Sequence, residues 1–566
     1  MLSSFICPGI ILYFIQKYYL CHWIYILYGM KRFGKLLLLV LGIRCAAVAF
    51  AVGSEHHEAT VGRYQRYEIS LSGPSAGNPF QDVSLTASFW QDGGDTLQVR
   101  GFYDGDGRYK IRFMPLTPGE WHYQTHSNIT KLSHVRGTIR CTDAKTCHGM
   151  VKTAGRAFVY QDGTPYHPVG TTAYAWVHMS KDLQDETVRS LAKAQFNKVR
   201  MCVFPKHYSL CKELPEAYPF VLKKHEGDRY EFDFTRPNPL FYENLEYRID
   251  QLASIGCEAD LILFHPYDKG YWGFDQMTME QNRFYLSYLQ ARLSSFHNLW
   301  WSMANEFDYV KGKTLADWDV LIDEVRQNDP YGHLLSVHGS TATYYNYMDE
   351  RISHTSIQDE GPVIETGRSS ILRSIYPKPV VFDEVAYEGN LKSRWGRLSG
   401  QEMLYRMWNG LAGGTYVTHG ECYQYHEGDY DTIFWAKGGP WRGESWKRIP
   451  FMRSILADLP HPLMMADVSR DELTSTAGEG YYLLYLGKSV HDYWLFNLPA
   501  KNGDYARPAK GDRYSVEIID TWNMTIRQVD TVYELSDQND YRYYDKDLKK
   551  VWLPLQPYLL LRIKKI

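Results

Sequence analysis

Two periodicities divide the chain. Between residues 60 and 142 apolar and polar positions alternate in short runs, which puts one side of each run in a core and the other in water. Residues 67–71, 83–90, 96–103, 109–113 and 121–126 read as strands, cut by Gly, Pro and Asp turns such as Tyr103-Asp104-Gly105-Asp106-Gly107. This spacing predicts a β-sandwich of immunoglobulin type. Near residue 155 the pattern changes to apolar strand-like runs alternating with amphipathic helical runs. Strands are expected at 167–172, 198–204, 259–264, 299–304, 334–337, 355–358, 379–382 and 415–418, and helices at 185–194, 239–255, 278–296, 315–328, 362–375, 400–412 and 445–456. Eight strands close a (β/α)8 barrel, although no helical pattern follows the fifth. Residues 205–238 and 421–444 read as long loops. Beyond residue 465 strand patterns return at 481–486, 492–497, 514–520, 525–531 and 558–563, predicting a second sandwich. The expected organisation is an α/β chain with a leader at 1–53, a sandwich at 60–145, a barrel at 155–462 and a second sandwich at 465–566.

The first residues add a destination. From Met30, the basic Lys31, Arg32 and Lys35 precede an apolar stretch at 36–43, and Ala49-Phe50-Ala51 has the small residues of a cleavage site. This predicts a secreted or periplasmic protein. Residues 1–29 are read as an extension from an upstream start, with a membrane segment as the alternative. Cys45 is a weak candidate for a lipid anchor, because Ile43-Arg44 before it and the apolar 46–52 after it fit poorly. Of nine cysteines, Cys141 and Cys147 are spaced for a small loop disulfide, while Cys202 and Cys257 read as free and buried. The spacings suit no zinc site, and the histidines are too scattered to require a metal. No cofactor is expected. A net charge of −3 argues against nucleic acid or a membrane surface as partner. Aromatics make up 15 % of the chain, with 45 Tyr and 16 Trp, a content that suits stacking on sugar rings or packing of β-modules.

Candidate chemistry sits at two strand ends. The fourth strand runs Leu299-Trp300-Trp301-Ser302-Met303-Ala304 into Asn305-Glu306-Phe307-Asp308, and the seventh runs Pro379-Val380-Val381-Phe382 into Asp383-Glu384. A carboxylate directly after an apolar barrel strand lies at the catalytic mouth. Two such groups can straddle a glycosidic bond. One protonates the leaving oxygen and later activates water; the other attacks the anomeric carbon.

This Asn-Glu ending the fourth strand and Glu ending the seventh resemble the clan of retaining glycoside hydrolases with a (β/α)8 barrel, which includes many cellulases, mannanases and β-galactosidases. The chain is most similar to bacterial barrels flanked by β-sandwiches that resemble endoglucanases and the pectin-degrading apiosidases. The likeness spans roughly residues 60–566, with its sharpest motifs in 165–425. It implies that Glu306 is the acid/base, Glu384 the nucleophile, Asn305 a ligand of the sugar 2-hydroxyl and Arg200 a support for the nucleophile. The sequence departs from the clan at Gln358-Asp359-Glu360, where a Tyr or His is expected, and at His419-Gly420-Glu421, where a stacking Trp is common. Asp359 and Glu421 are therefore rival carboxylates, and Asp383 and Asp308 read as supports.

Further residues after apolar strands are candidate substrate ligands or pocket walls: Trp176 and His178, His265 and Tyr267, His338, His419 and Glu421, with Trp272, Trp435 and Trp441 in loops. The leading expectation is a retaining enzyme that hydrolyses a β-linked polysaccharide or oligosaccharide. A transglycosylase uses the same residues, and a non-catalytic glycan-binding or adhesion protein is the reading from another class. The paired glutamates favour an enzyme.

Overall fold

The protein is seen in a computed structural model that describes residues 58–143, 146–360, 366–424, 433–466, 474–503 and 505–566. The leader-like residues 1–53, with Cys45, lie outside the described residues. Among the described residues no helix is long and apolar enough to cross a membrane.

The fold is mixed α/β. Its centre is built from eight short strands: β1 (Gly170–Thr172), β2 (Lys198–Cys202), β3 (Glu258–Phe264), β4 (Leu299–Ala304), β5 (Leu335–Ser336), β6 (Thr355–Gln358), β7 (Val380–Glu384) and β8 (Tyr416–Val417). Strands β1 to β5 form one sheet and β6 to β8 another, with every pairing parallel. Two isolated parallel bridges join the sheets, His338 with Ser356 and Thr171 with His419, so the strand order returns to its start. Each strand is buried along its whole length, as expected where both faces of a parallel sheet are covered.

Helices cross between successive strands: α1 (Lys181–Ala194), α2 (Pro239–Ser254), α3 (Met279–Leu293), α4 (Leu315–Asn328), α5 (Thr366–Ile375), α6 (Gly400–Ala412) and α7 (Ile449–Ala457). Their starts follow from capping chemistry. Thr278 with Gln281 and Thr314 with Asp317 form reciprocal capping boxes, and the Asn238 and Ser399 side chains accept N–H bonds at α2 and α6. No helix follows β5; residues 337–354 form a loop tied down by Tyr347, whose hydroxyl donates to the Val337 carbonyl at 3.0 Å.

The stretch at 205–238 is not a plain loop. It contains a hairpin, Phe220–Glu226 with Arg229–Pro237, turning at Gly227-Asp228. Phe220, Phe232 and Pro237 are its buried residues and most of the rest faces water, so the alternation that reveals a half-buried strand is absent.

Before β1, residues 58–142 form a seven-stranded sheet with its own core around Ile69, Phe89, Ile111, Phe113 and Ile139. The strands Glu58–Gly62 and Arg136–Thr142 add to those expected. Cys141 belongs to this core and Cys147 to a neighbouring cluster with Tyr64 and Met114, so the expected disulfide is not formed and both thiols are free. Cys202 and Cys257 are free and buried. At the other end, residues 464–565 build an eight-stranded sheet around Tyr482, Phe496, Val516 and Leu561.

A buried charge cluster joins the N-terminal sheet to the central helices. Arg112 donates to Glu68 at 2.8 Å and to Glu246 of α2 at 2.9 Å, while Arg292 of α3 donates to Asp104 at 2.7 Å and also to Glu246. Lys110 completes it, 2.8 Å from Asp104 and 3.3 Å from Glu68. Three cations face three carboxylates, which lets all six groups stay charged away from water.

Burial sets a pH window for stability. Glu258, Glu306 and Glu421 are pushed up to about 8 by desolvation, so the folded state holds their protons more tightly than the unfolded chain does. Their contribution is complete below the unfolded glutamate value of 4.5 and is lost as pH rises through about 8. His265, His354 and His419 are pulled down to about 3 and His178 to about 4 by burial, so their contribution is present above 6.5 and lost as pH falls. The melting temperature is therefore expected to peak near pH ~6.5 and to fall steadily to pH ~9. A thermal scan across pH 5–9 that rises toward the alkaline end contradicts this assignment.

Candidate active site

Glu306 and Glu384 come from opposite parts of the strand circle. Glu384 is the last residue of β7 and Glu306 follows β4 by one residue beyond Asn305. Both carboxyls are 6 % exposed. Glu306 adopts the left-handed conformation, φ 50° and ψ 60°, which strains a residue with a Cβ by about 1 kcal/mol or more. The turn is held because Phe307 N–H donates to the His338 carbonyl at 2.9 Å and Tyr309 N–H to the Glu306 carbonyl at 2.9 Å. Its Oε2 is buried without a hydrogen-bond partner among the described residues.

The two glutamates differ in their surroundings. Burial raises both, and Glu306 also feels the charge of Glu384. Glu306 reaches about 8, driven first by desolvation and then by Glu384, with Lys206 alone opposing. Glu384 is raised by desolvation too, but against it stand the Arg200 guanidinium, the Tyr174 and Tyr387 hydroxyls and Lys206. Tyr174 donates directly to Glu384 Oε1. Burial and the charge of Glu384 therefore favour the protonated form of Glu306, while Arg200, the Tyr174 hydroxyl and Lys206 favour the charged form of Glu384.

Asn305 links the two glutamates. Its Oδ1 accepts from Arg200 at 3.2 Å and lies 3.3 Å from the Tyr174 hydroxyl, whose proton goes to Glu384, and this fixes which side of the amide is left as a donor. Arg200 acts on Glu384 through charge; its close contacts are Asn305 and, at 3.8 Å, Asp260 and Asp383. Asp383 is a support as expected, receiving bonds from Lys198 at 2.8 Å, Thr418 at 2.8 Å and Ser356. Asp308 holds the Ser340 N–H and hydroxyl at 2.9 and 2.7 Å.

Comparison with known proteins places this arrangement. The apiosidase-like catalytic domain model matches residues 152–449. The chain belongs to the apiosidase-like family. Two domains of unknown function flank that match, DUF5060 over residues 60–128 and DUF5605 over 471–564. A crystal structure of a candidate glycoside hydrolase from Bacteroides vulgatus ATCC 8482 is 52 % identical, with a TM-score of 0.87, covering 90 % of this chain and 100 % of that one. A family 5 glycoside hydrolase from the same organism is similar in fold, at 14 % identity and a TM-score of 0.53, covering 74 % of this chain and 93 % of its own. No curated protein matches.

Not every expected ligand of this apiosidase-like protein reaches the pair. His265 is a core histidine: Nε2 donates to the Phe204 carbonyl at 3.0 Å and Nδ1 accepts the Tyr267 N–H at 3.1 Å, leaving neither nitrogen for a sugar. His419 is likewise filled, by Thr171 and Ser445 hydroxyls at 3.0 Å each, and braces the junction of β8 with β1. His338 is fully buried; its Nδ1 accepts the Glu306 N–H at 3.4 Å, so it steadies the Glu306 turn. Glu421 is a loop brace whose oxygens accept the Arg442 and Gly443 N–H groups at 2.7 and 2.9 Å. Trp176 and Trp272 lie in the main core, His178 stacks on Phe241, and Trp441 donates to the Ser190 carbonyl at 2.7 Å. The rival Asp359 is paired with Arg368 at 2.7 Å.

Tyr267 and Trp435 lie near Lys206, whose ammonium is 4.5 and 5.8 Å from their ring centroids. The residues that sequence reasoning missed are Tyr174, Lys206 and Tyr387. Tyr174 had a signal, since it follows β1 closely, but the bulkier Trp176 drew attention instead. Tyr387 and Lys206 stand in loops, where no periodicity announces which side chains turn inward.

Proposed function

We propose that this protein is a secreted retaining glycoside hydrolase acting on a β-linked polysaccharide or oligosaccharide, with Glu306 as acid/base and Glu384 as nucleophile. In this reading the eight parallel strands are a closed (β/α)8 barrel, and the sheets at 60–145 and 465–566 are sandwiches that flank it. The single observation that carries the proposal is the asymmetry of the carboxyl pair. One glutamate is held by a tyrosine hydroxyl and faces an arginine; its neighbour is buried with a free oxygen and keeps its proton. That is the ground state a double displacement requires.

The chemistry follows. Glu306 donates its proton to the leaving oxygen as Glu384 Oε attacks the anomeric carbon, forming a glycosyl ester. Glu306, now a carboxylate, takes a proton from water, which attacks the same carbon and releases Glu384. Asn305 Nδ2 is positioned to donate to the 2-hydroxyl. A cavity of about 820 Å³ adjoins the Glu306 turn, lined by Phe307, Asp308, Trp318, Tyr344 and Tyr345.

The test is a panel of plant, algal and host glycans followed by proton NMR of the first product formed. The expected result is release of a sugar whose anomeric configuration equals that of the substrate. An inverted first product, or no release from any glycan, overturns the proposal.

A further inference from the structure

Lys206 is the unassigned group of the site. It lies just past β2 and is 2 % exposed. Its ammonium is 3.6 Å from the Tyr174 ring centroid and 4.5 Å from that of Tyr267, with Trp435 at 5.8 Å and Tyr208 at 5.9 Å. Among the described residues it makes no hydrogen bond and no ion pair at contact distance. A buried ammonium in this position normally sheds its proton, and burial does pull Lys206 down. The opposing influences are the aromatic faces, which attract a cation, and the charges of Glu384 and Glu306.

Counting charges shows what the lysine balances. Deeper in the sheet, Lys198 and Arg200 face Asp260 and Asp383, two cations against two anions. Arg200 also acts on Glu384, while Lys206 acts on both glutamates.

We propose that the Lys206 ammonium, held over the ring of Tyr174 whose hydroxyl donates to Glu384, is a counter-charge common to both glutamates, a positioning residue that acts beside Arg200. This rests on the acid and nucleophile roles given above. The other groups facing the pair do not supply a positive charge to both glutamates. Asp308 and Glu360 add negative charge toward Glu306. Tyr174 and Tyr387 are held neutral by burial, as are the Cys202 thiol at about 11 and the Cys211 thiol at about 12. His265 and His338 are neutral beside it. Arg200 favours the charged form of Glu384 ahead of Lys206, but its contacts are with Asp260, Asp383 and Asn305, and on Glu306 the opposing charge is that of Lys206.

The test needs no substrate. The full chain is labelled with ¹³Cδ-glutamate, the two resonances are assigned by their loss in Glu306→Gln and Glu384→Gln, and wild type, Lys206→Met and Lys206→Arg are titrated. In Lys206→Met both midpoints are expected to rise, Glu384 by about one pH unit or more, which is roughly tenfold tighter proton binding. Lys206→Arg keeps the charge and is expected to hold both midpoints near wild type. Unchanged midpoints in Lys206→Met overturn the proposal. Should circular dichroism show Lys206→Met unfolded, Lys206→Gln carries the same expectation. A protein that releases no sugar but shows the shift loses the hydrolase reading and keeps this one. With a substrate in hand, the acid limb of kcat/KM moves upward in Lys206→Met and returns in Lys206→Arg; a raised KM with unmoved limbs makes the lysine a sugar ligand instead.

Discussion

Glu384→Ala is expected to lose at least about 10⁴-fold in kcat, because in the proposed mechanism it removes the atom that forms the covalent intermediate and nothing nearby replaces it. Tyr174 and Tyr387 are held neutral, and Asp383 is locked by Lys198, Ser356 and Thr418. Sodium azide separates the roles of the two glutamates. In Glu384→Ala the azide enters from the vacated side and yields a glycosyl azide of inverted configuration. In Glu306→Ala the intermediate still forms when the leaving group is activated, and azide resolves it with retention. Both products are read by NMR. Wild-type turnover in either variant, or the same azide anomer from both, sinks the role assignment. With Glu306 at about 8, the alkaline limb of the wild-type profile is expected near that pH, since activity needs the protonated acid and is lost as pH rises through it.

The second large effect is on stability. Arg292→Met is expected to destabilise the fold by about 3–5 kcal/mol, the range for removing one partner of a buried ion cluster. The reason is what remains. Arg292 is fully buried and supplies bonds to both Asp104 and Glu246, so its loss leaves three carboxylates against Arg112 and Lys110. Glu246, held well below the usual carboxylate range first by Arg112 and then by Arg292, loses one of its two cations. Chemical denaturation of the variant beside wild type measures the change. A loss under about 1 kcal/mol, the size of an exposed pair, contradicts the cluster's importance.

The site was partly legible because a closed parallel sheet leaves a signature: an apolar run, then a polar residue where the run stops. That signature found Glu306 and Glu384, with Asn305 and Asp383 beside them at the same strand ends, whereas Arg200, inside its strand, came from the family resemblance. The same signature misled for His265 and His419. A histidine past a strand end is just as well placed to bond a neighbouring backbone or hydroxyl, and which it does depends on contacts between strands distant in sequence. The pattern also located helices such as α4 and α6 to the residue, since Thr314 and Ser399 mark their starts. It failed at 220–237, where a hairpin stands mostly in water and lacks a buried face to reveal it. Lys206 was invisible for another reason. Its burial is made by Tyr174, Tyr267 and Trp435, three aromatics from separate loops, and no local pattern encodes that meeting.

The left-handed backbone at Glu306 reaches beyond this molecule. Glycine would occupy that turn at ease, and a chain selected only to persist would drift toward it. An acidic side chain kept there has to justify its discomfort by chemistry. Among distant relatives whose motifs have blurred, an uncomfortable glutamate or aspartate at the lip of a parallel sheet is thus a search key in its own right, readable from backbone angles when letters no longer align.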